Sequence, residues 1–137
     1  MGRRDPLPHD TLAGIHVLVV DDDTEARNLI RTVLEYCGAL VTAASSAAEA
    51  LGVLDRMTPD VMLSDIAMPT HDGYWLIDAV RALPADRGGA IPAVAVTAHG
   101  EAHGPDRTLG AGFEAHLRKP LDPWELCRVV ESLIRKS

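Results

Sequence analysis

The sequence predicts an α/β fold in which five parallel strands form one doubly wound sheet with five helices around it. Short apolar runs of strand length alternate with segments whose apolar residues recur at helical spacing, the pattern of a parallel sheet covered by helices on both faces. Four of the runs end in polar residues. Open sheets of this kind bind ligands at the carboxyl ends of their strands, so these ends locate the expected site.

The composition indicates one ordinary globular domain. The chain has 137 residues, of which 47% are hydrophobic and 24% charged. Its net charge is −7, with acidic and basic residues interspersed, which argues against nucleic-acid binding because phosphate contacts need basic patches. No apolar run approaches the ~18–20 residues of a membrane span, and no signal-peptide pattern opens the chain. We therefore expect a soluble, cytoplasmic protein.

The first third of the chain contains a strand-helix-strand pattern behind an irregular opening. Residues 1–14 carry breakers and no periodicity, which predicts a tail or linker before a domain at 15–137. His16 to Val20 is the first strand, and the first helix follows from about Asp23. Its N-cap is Asp23 or Thr24. Gly38 ends that helix, and Ala39 to Ala43 is the second strand.

The next segments continue the alternation. Ser46-Ala47-Ala48-Glu49 is a capping box that predicts the start of the second helix. The third strand begins after Asp60 and ends in Asp65, an apolar run that fits a strand buried on both faces. The third helix is predicted from about Asp72 to Leu83, through apolar positions at helical spacing.

The last third of the chain holds a weakly patterned helix between two strands. Ile91 to Val96 is the fourth strand, and glycines interrupt the span that follows it, which predicts a short helix of about two turns from Pro105 to Ala111. Glu114 to Arg118 is the fifth strand. Asp122 as N-cap with Pro123 at the first helical position gives the fifth helix a strong start.

The carboxyl ends of four predicted strands bring complementary side chains together. The first strand runs into Asp21-Asp22-Asp23, the third into Asp65, the fourth into Thr97 and the fifth into Lys119. Clustered carboxylates repel one another, and a bound hard cation such as Mg²⁺ relieves that repulsion. Such a site can bind a phosphoryl group through the metal, the hydroxyl and the ammonium, with Asp65 as nucleophile.

Four motifs, in order and at characteristic spacing, resemble those of the receiver domains of two-component response regulators. They are Val19-Val20-Asp21-Asp22, Asp65-Ile66-Ala67-Met68-Pro69 with Asp72-Gly73, Val96-Thr97-Ala98, and Leu117-Arg118-Lys119-Pro120. The resemblance extends from about Ile15 to Ile134. It implies the flavodoxin-like receiver fold with strand order 2-1-3-4-5. The receivers of hybrid sensor histidine kinases are among the domains that the sequence resembles.

The resemblance also implies a role for each site residue. Asp65 would accept a phosphoryl group from a phosphohistidine, and Mg²⁺ or Mn²⁺ would be held by Asp21, Asp22, Asp65 and the backbone carbonyl of Ala67. Thr97, Ala98 and Lys119 would bind the phosphoryl group and report its presence, and the Lys119-Pro120 bond would be cis. Asp23 is interpreted as a helix cap rather than a ligand.

His116 departs from the commonest pattern of the family, which has Tyr or Phe three residues before the lysine. A histidine at this position occurs in some receivers, especially those attached to sensor kinases. It can act as a rotating switch with added pH sensitivity, or be a simple exposed strand histidine, and both interpretations stay open. His99 and His103 have a helical ligand spacing, but their glycine-rich context argues against a metal site.

These residues predict a phosphorylatable signalling switch rather than a turnover enzyme. A sensor histidine kinase or a histidine phosphotransfer domain would supply the phosphoryl group. Phosphorylation would shift a surface formed by the fourth helix, fifth strand and fifth helix, which controls a protein partner. Because the sequence stops soon after the fifth helix, we expect no DNA-binding or enzymatic output domain; a homodimer through the same surface is compatible.

Two other function classes share features with this sequence. A Mg²⁺-dependent hydrolase with an aspartyl-phosphate intermediate also uses a strand-end aspartate, but the haloacid-dehalogenase type needs Thr or Val where this chain has Glu25. A receiver-like interaction module that is never phosphorylated is the other alternative. Degenerate receivers usually lose the acceptor, an acidic residue or the lysine, and all of these are present here.

Overall fold

A computed structural model of the chain describes residues 9–98 and 105–134 and contains the predicted five-stranded parallel sheet. The strands are β1 (His16–Val20), β2 (Leu40–Ala44), β3 (Val61–Asp65), β4 (Ala93–Thr97) and β5 (Ala115–Arg118). They pair in the order β2-β1-β3-β4-β5, all parallel. The predicted doubly wound fold and strand order are confirmed.

In the described residues four α-helices connect the strands and a fifth follows β5, and most of them start at capping residues read from the sequence. They are α1 (Thr24–Tyr36), α2 (Ala47–Leu54), α3 (Gly73–Arg81), α4 (Pro105–Ala111) and α5 (Pro123–Ile134). Asp23, Ser46 and Asp72 cap α1, α2 and α3 through side-chain oxygens, and Asp122 accepts the backbone N–H of Trp124 at the start of α5. Each cap satisfies backbone donors that a helix start leaves without partners.

The sheet separates two apolar cores, one on each face. Alternate strand residues point to opposite sides, so Val17, Val19 and Leu63 enter the core beneath α1 and α5, whereas Leu18 and Met62 enter the core beneath α2 and α3. All five residues are fully or almost fully buried. Because both faces are covered, the central strands are fixed in register, and so are the residues at their ends.

Three strands begin one or two residues later than the sequence predicts. β2 starts at Leu40 instead of Ala39, β4 starts at Ala93 instead of Ile91, and β5 starts at Ala115 instead of Glu114. Pro92 has no N–H to give to a ladder. The Glu114 carboxylate accepts the N–H of Ala93 at 2.8 Å, so a side chain bonds the backbone where β4 starts.

The described part of the predicted tail is packed onto the domain. Leu12 is fully buried in the core that contains α1 and α5, and its N–H donates to the carbonyl of Cys37 at 2.9 Å. Gly38, at φ +102°, has Ala13 and the carbonyl of His9 so close that a Cβ would lie 3.1–3.2 Å from them. Residues 9–14 therefore cover the end of α1. The boundary at residue 15 stays a prediction.

Arg81, the last residue of α3, joins three separate segments. Its guanidinium donates to the carbonyls of Gly89, Ile91 and Gly112 at 2.7–3.1 Å and forms an ion pair with Glu114 at 2.9 Å. The polar loop before β4 and the turn after α4 are thereby tied to α3. Helix α3 ends two residues before the predicted Leu83, because Pro84 disfavours helical backbone at the residue that precedes it.

Other features agree with the sequence or add detail to it. The short α4 has the predicted bounds. The Glu49 carboxylate accepts hydrogen bonds from the N–H and the hydroxyl of Ser45, whereas a capping box would direct it to the N–H of Ser46. Cys37 and Cys127 are free and buried, and burial raises the pKa of Cys127 to about 12, which suits structural thiols. Within residues 9–98 and 105–134, no helix is long and apolar enough to cross a membrane.

Truncation of Leu12 should destabilise the domain as a core truncation does. We expect Leu12→Ala to lower the free energy of unfolding by about 2–4 kcal/mol, because the side chain is fully enclosed. Urea unfolding followed by circular dichroism measures this change. Leu40→Ala is the matched control, since Leu40 is 68% exposed, and should cost well under about 1 kcal/mol. Equal effects of the two substitutions would mean that residues 9–14 do not contribute to the fold.

Candidate functional site

Three carboxylates meet at the carboxyl ends of β1 and β3, as predicted. Asp21 and Asp22 follow β1, Asp65 ends β3, and the two strands are neighbours in the sheet. One oxygen from each carboxylate lies within 4.8 Å of the others. Asp21 is fully buried and Asp65 is 6% exposed, whereas Asp22 is exposed to solvent. The group thus has one side open to solvent and two carboxylates embedded in the protein.

Lys119 brings an ammonium group into this cluster from the end of β5. Its Nζ lies 3.0 Å from Asp21 Oδ2 and 3.8 Å from Asp65 Oδ2. The Lys119-Pro120 peptide bond is cis, as the resemblance implied. The two buried carboxylates therefore share one cation, which leaves an excess of negative charge at the site.

The loop after β1 fixes Asp21 through its other oxygen and its carbonyl. The N–H of Asp23 donates to Asp21 Oδ1 at 2.9 Å, and Arg27 donates to the Asp21 carbonyl at 2.7 Å. The Asp23 side chain accepts from the N–H of Glu25, as expected of a cap rather than a ligand. Arg27 was not predicted as a site residue. Its position one turn into α1, four residues after the N-cap, is the signal that points it back toward the strand end.

The charge distribution raises the proton affinity of the predicted acceptor. Burial, followed by the charges of Asp21 and Asp22, raises the pKa of the Asp65 carboxyl, against Lys119 and a hydrogen bond from the N–H of Ala67, and the net result is a pKa of about 6. Burial lowers the pKa of Lys119, but the hydrogen bond to Asp21 and the charges of Asp65 and Asp21 outweigh it, so that pKa is raised. Asp65 is therefore harder to ionise than a free aspartate, and an added cation would favour its charged form.

The loop between β3 and α3 closes tightly behind Asp65. The N–H of Gly73 donates to the carbonyl of Ile66, and a Cβ on Gly73 would lie 2.7 Å from the Asp65 carbonyl oxygen. Thr70 adopts φ +69°, a left-handed conformation that is uncommon for a residue with a side chain. This backbone strain lies in the loop that begins at Asp65, in the kind of place where proteins keep such conformations for function.

Thr97 and His116 lie beside the carboxylate cluster and are hydrogen-bonded to each other. Thr97, at the end of β4, is buried, and its Oγ1 lies 3.1 Å from His116 Nε2. The other ring nitrogen of His116, Nδ1, lies 3.0 Å from the hydroxyl of Thr108 in α4. Sequence reasoning left His116 open between two roles and did not identify Thr108, because the pattern of α4 gave no reason to place its middle residue against β5.

The structure leaves some predicted roles untested. Ala67 and Ala98 follow β3 and β4 at the same edge of the sheet as the carboxylates, but a carbonyl ligand or phosphoryl contact requires the bound group itself. His99 and His103 lie outside the described residues. The carboxylates, Thr97 and Lys119 are therefore the set that the fold brings to one edge.

The donor set fits a hard divalent cation. Carboxylate oxygens are the ligands that Mg²⁺ and Mn²⁺ prefer, and the burial of Asp65 beside Asp21 raises its pKa even though Lys119 lies within 3.8 Å. Asp22 leaves the cluster accessible from solvent, which suits a cation that keeps part of its water shell. The same opening gives a reactant access to Asp65.

Comparison with known proteins identifies the family. The sequence model of the response regulator receiver domain matches residues 17–131. An uncharacterized 14.6 kDa protein from the sodA1 3′ region of Leptolyngbya boryana is 47% identical over 121 residues, which are 88% of this chain and 91% of that protein. The sensor protein GacS of Pseudomonas syringae is 36% identical over 115 residues, 83% of this chain but 13% of GacS.

The fold comparison agrees with the sequence comparison. The structure of the Francisella response regulator 1452 receiver domain superposes with a TM-score of 0.80 at 28% identity, over 90% of this chain and 98% of that one. The strand order, the acidic cluster at the ends of β1 and β3 and the lysine after β5 all occur in the matched segment. The chain belongs to the response regulator receiver domain family of two-component signal transduction.

Proposed function

We propose that this domain is a phosphorylatable switch in which Asp65 accepts a phosphoryl group from the phosphohistidine of a partner protein. The observation that carries the proposal is the cluster itself, in which the carboxylate oxygens of Asp21, Asp22 and Asp65 lie within 4.8 Å and Lys119 lies 3.8 Å from Asp65. Membership of the receiver family supports the same role. The domain is then a switch that is modified, rather than an enzyme that turns over a substrate.

The residues of the chain have separate tasks in this transfer. An Asp65 oxygen forms a bond to phosphorus while the bond from phosphorus to the imidazole nitrogen of the donor breaks, and the imidazole leaves with the electron pair. Lys119 is placed to neutralise a phosphoryl oxygen beside Asp65. Thr97, at the end of the neighbouring strand, has a hydroxyl that can donate to another phosphoryl oxygen, and Ala98 offers a backbone N–H beside it.

Asp21, Asp22 and Asp65, with the carbonyl of Ala67, would hold Mg²⁺ or Mn²⁺. A bound divalent cation supplies charge neutralisation for the entering phosphoryl oxygens, which lets an anionic nucleophile approach an anionic group. Asp21 is anchored for this task by Lys119, Asp23 and Arg27, so its carboxylate cannot turn away from the site. Because the partner must present a phosphohistidine, we place the domain in the cytoplasm, where such kinase domains operate.

An apolar cleft beside Lys119 suits the docking of the donor. The cleft has a volume of about 140 Å³ and is lined by Ala26, Leu29, Ile30, Lys119, Pro120 and Leu121. Leu29 is 54% exposed, which leaves a large apolar side chain facing solvent next to the phosphoryl site. We assign this surface to the sensor histidine kinase or histidine phosphotransfer domain that supplies the phosphoryl group, since the cleft is continuous with the side chain that contacts Asp65.

The output is proposed to pass through α4, β5 and α5 to a downstream protein or a second copy of the domain. Leu109 of α4 is 46% exposed, and Thr97 is linked to α4 through His116. A change at Thr97 therefore has a direct connection to this surface. The domain at 15–137 would act as the signalling unit, with residues 1–14 as an N-terminal tail or linker.

Phosphorylation can be tested with a small phosphodonor. Intact-mass analysis after incubation with Mg²⁺ and acetyl phosphate should show the gain of one phosphoryl group, lost on addition of a chelator. Asp65→Asn should abolish the gain because the nucleophilic oxygen is removed, whereas Asp60→Asn, at the other end of β3, should keep it. A folded wild-type protein that binds Mg²⁺ yet gains no mass from acetyl phosphate or a phosphorylated kinase would contradict the proposal.

The crowding of carboxylates predicts a stability that depends on pH and metal. The pKa of Asp65 lies at about 6 in the fold and near 3.8 otherwise, so folding takes up a proton between these values and stability falls as pH rises through them. In metal-free buffer at pH 7.5, Asp65→Asn should raise the free energy of unfolding by about 1–2 kcal/mol, after allowance for solvent screening, and the gain should shrink toward pH 5.

Urea unfolding of both proteins at several pH values measures this effect. Asp86→Asn, an exposed carboxylate in the loop after α3, is the control and should show no such trend. Addition of Mg²⁺ should stabilise the wild type more than Asp65→Asn. A difference in unfolding free energy between wild type and Asp65→Asn that stays constant from pH 5 to 7.5 would show that ionisation of Asp65 does not destabilise the fold.

The docking surface predicts a difference between protein and small-molecule donors. For a histidine kinase that phosphorylates the wild type, Leu29→Arg should slow phosphotransfer by about tenfold or more. A loss of about 1.4 kcal/mol of docking energy corresponds to that factor. The ratio of this rate to the acetyl phosphate rate is the measurement. Leu40→Arg, which alters an exposed leucine at the far end of the sheet, is the control. Equal ratios for the two variants would rule out the cleft as the docking site.

A further inference from the structure

The two cysteines of the chain face each other between helices α1 and α5. Cys37 is the C-cap residue of α1, and Cys127 lies in the second turn of α5. Both side chains are buried in the same apolar core, and their thiols are hydrogen-bonded to each other. Two thiols in contact can together lose two electrons and two protons and form one covalent bond, which a single buried thiol cannot do.

This thiol pair lies directly behind the cleft that we assign to the phosphodonor. A crevice between the same two helices is lined by Leu29, Ile30, Val33, Leu121, Pro123 and Leu126, and three of these residues also line the cleft beside Lys119. Cys37 lies one turn beyond Val33, to whose carbonyl its N–H donates at 3.2 Å, and Cys127 follows Leu126. A bond between the two sulfurs would therefore fix the separation of the helices that form the cleft.

Residues 9–14 cover the end of α1 at which Cys37 lies. The N–H of Leu12 donates to the Cys37 carbonyl at 2.9 Å, and the Leu12 side chain is fully buried in the core that contains both thiols. In this closed state, burial and the hydrogen bond with Cys37 raise the pKa of Cys127 to about 12, which keeps its thiol protonated and unreactive. Segments outside helices and strands open at a lower free energy than the core does, so opening of residues 9–14 gives a small oxidant access.

We propose that Cys37 and Cys127 form a disulfide with a peroxide as oxidant, and that this bond weakens docking of the phosphohistidine partner at the cleft between α1 and α5. The inference rests on the proposed function and adds its regulation. A disulfide is shorter than the contact between two thiols, so its formation draws the two helices together behind the cleft. In the cytoplasm, where we place the domain, the disulfides that do form are mainly transient and redox-sensing.

The oxidation is balanced with hydrogen peroxide alone. The sulfur of one cysteine attacks a peroxide oxygen, the O–O bond breaks, and one water leaves, which gives a sulfenic acid. The second sulfur then attacks the first, the S–O bond breaks, and the hydroxyl leaves with the second thiol proton as another water. Two thiols and one hydrogen peroxide thus become one disulfide and two waters, and a thiol reductant reverses the change.

The first test detects the bond. After treatment of the full chain with hydrogen peroxide, unfolding in the presence of iodoacetamide and intact-mass analysis should show the loss of two hydrogens and no alkylation. Dithiothreitol should restore two alkylated thiols. Leu12→Ala should speed disulfide formation relative to Leu40→Ala, because it weakens the cover over Cys37. Two free thiols in the peroxide-treated wild type, or sulfinic acids without a disulfide, would overturn the proposal.

The second test measures docking. The kinase-to-acetyl-phosphate ratio of phosphorylation rates is compared for the reduced and the disulfide form, with a histidine kinase that phosphorylates the reduced wild type. We expect the ratio to fall by about fivefold or more in the disulfide form, the scale of a modest loss of docking affinity, and to recover on reduction. Cys37→Ala and Cys127→Ala, treated with peroxide in the same way, should keep the ratio of the reduced wild type.

The outcomes separate the two proposals. A disulfide form whose ratio equals that of the reduced chain would overturn the regulation and leave the phosphorylation of Asp65 in place. A fall of equal size in the single-cysteine variants would also overturn it, since peroxide would then act at another residue. A reduced chain that accepts no phosphoryl group from either donor would overturn the proposed function and the regulation with it.

Discussion

Repulsion among carboxylates at the ends of two adjacent strands is the constraint around which this domain is arranged. Asp21 and Asp65 are almost completely buried, with a single ammonium between them, and the pKa of Asp65 rises to about 6 as a result. Folding has to hold these groups together against their charge. The apolar cores on the two faces of the sheet supply that restraint, since they fix the register of β1 and β3 and leave the strand ends no freedom to separate. The repulsion between these carboxylates favours binding of a ligand that brings positive charge.

The arrangement around the carboxylates divides the site into fixed and adjustable parts. Lys119, Asp23 and Arg27 hold Asp21 through three contacts, so one wall of the site is rigid. Thr97 and His116 form the other wall and are joined by a hydrogen bond between a hydroxyl and an imidazole nitrogen, either of which can donate. A site with one rigid and one adjustable wall can bind its ligand in a defined geometry and still change its surroundings.

Local patterns in the sequence were sufficient for most of the fold and for the charged site. Strand ends, caps and the spacing of Asp21, Asp65, Thr97 and Lys119 follow from short-range rules, and the structure brings the charged residues together as these rules require. The burial of Leu12 could not be predicted because one leucine among breakers has no periodicity. The contact between His116 and Thr108 could not be predicted either. Thr108 lies in a helix whose apolar pattern is weak, so the sequence does not indicate which face of that helix packs against β5. The hydrogen bond from the N–H of Ala93 at the start of β4 to the side chain of Glu114 joins residues 21 positions apart and has no local signal either.

The packing of residues 9–14 has a consequence for how the domain can be joined to other chains. Leu12 precedes β1 and contacts the end of α1, so it lies at the edge of the sheet opposite Asp65. Helix α5 starts near Lys119 and runs back along the sheet for 12 residues, about 18 Å at the rise of an α-helix, so Ile134 reaches that same far edge. Both ends of the described fold therefore point away from the carboxylates. A tag or a neighbouring domain attached at either end would leave the carboxylate edge open, so that Asp65 stays accessible in such a fusion.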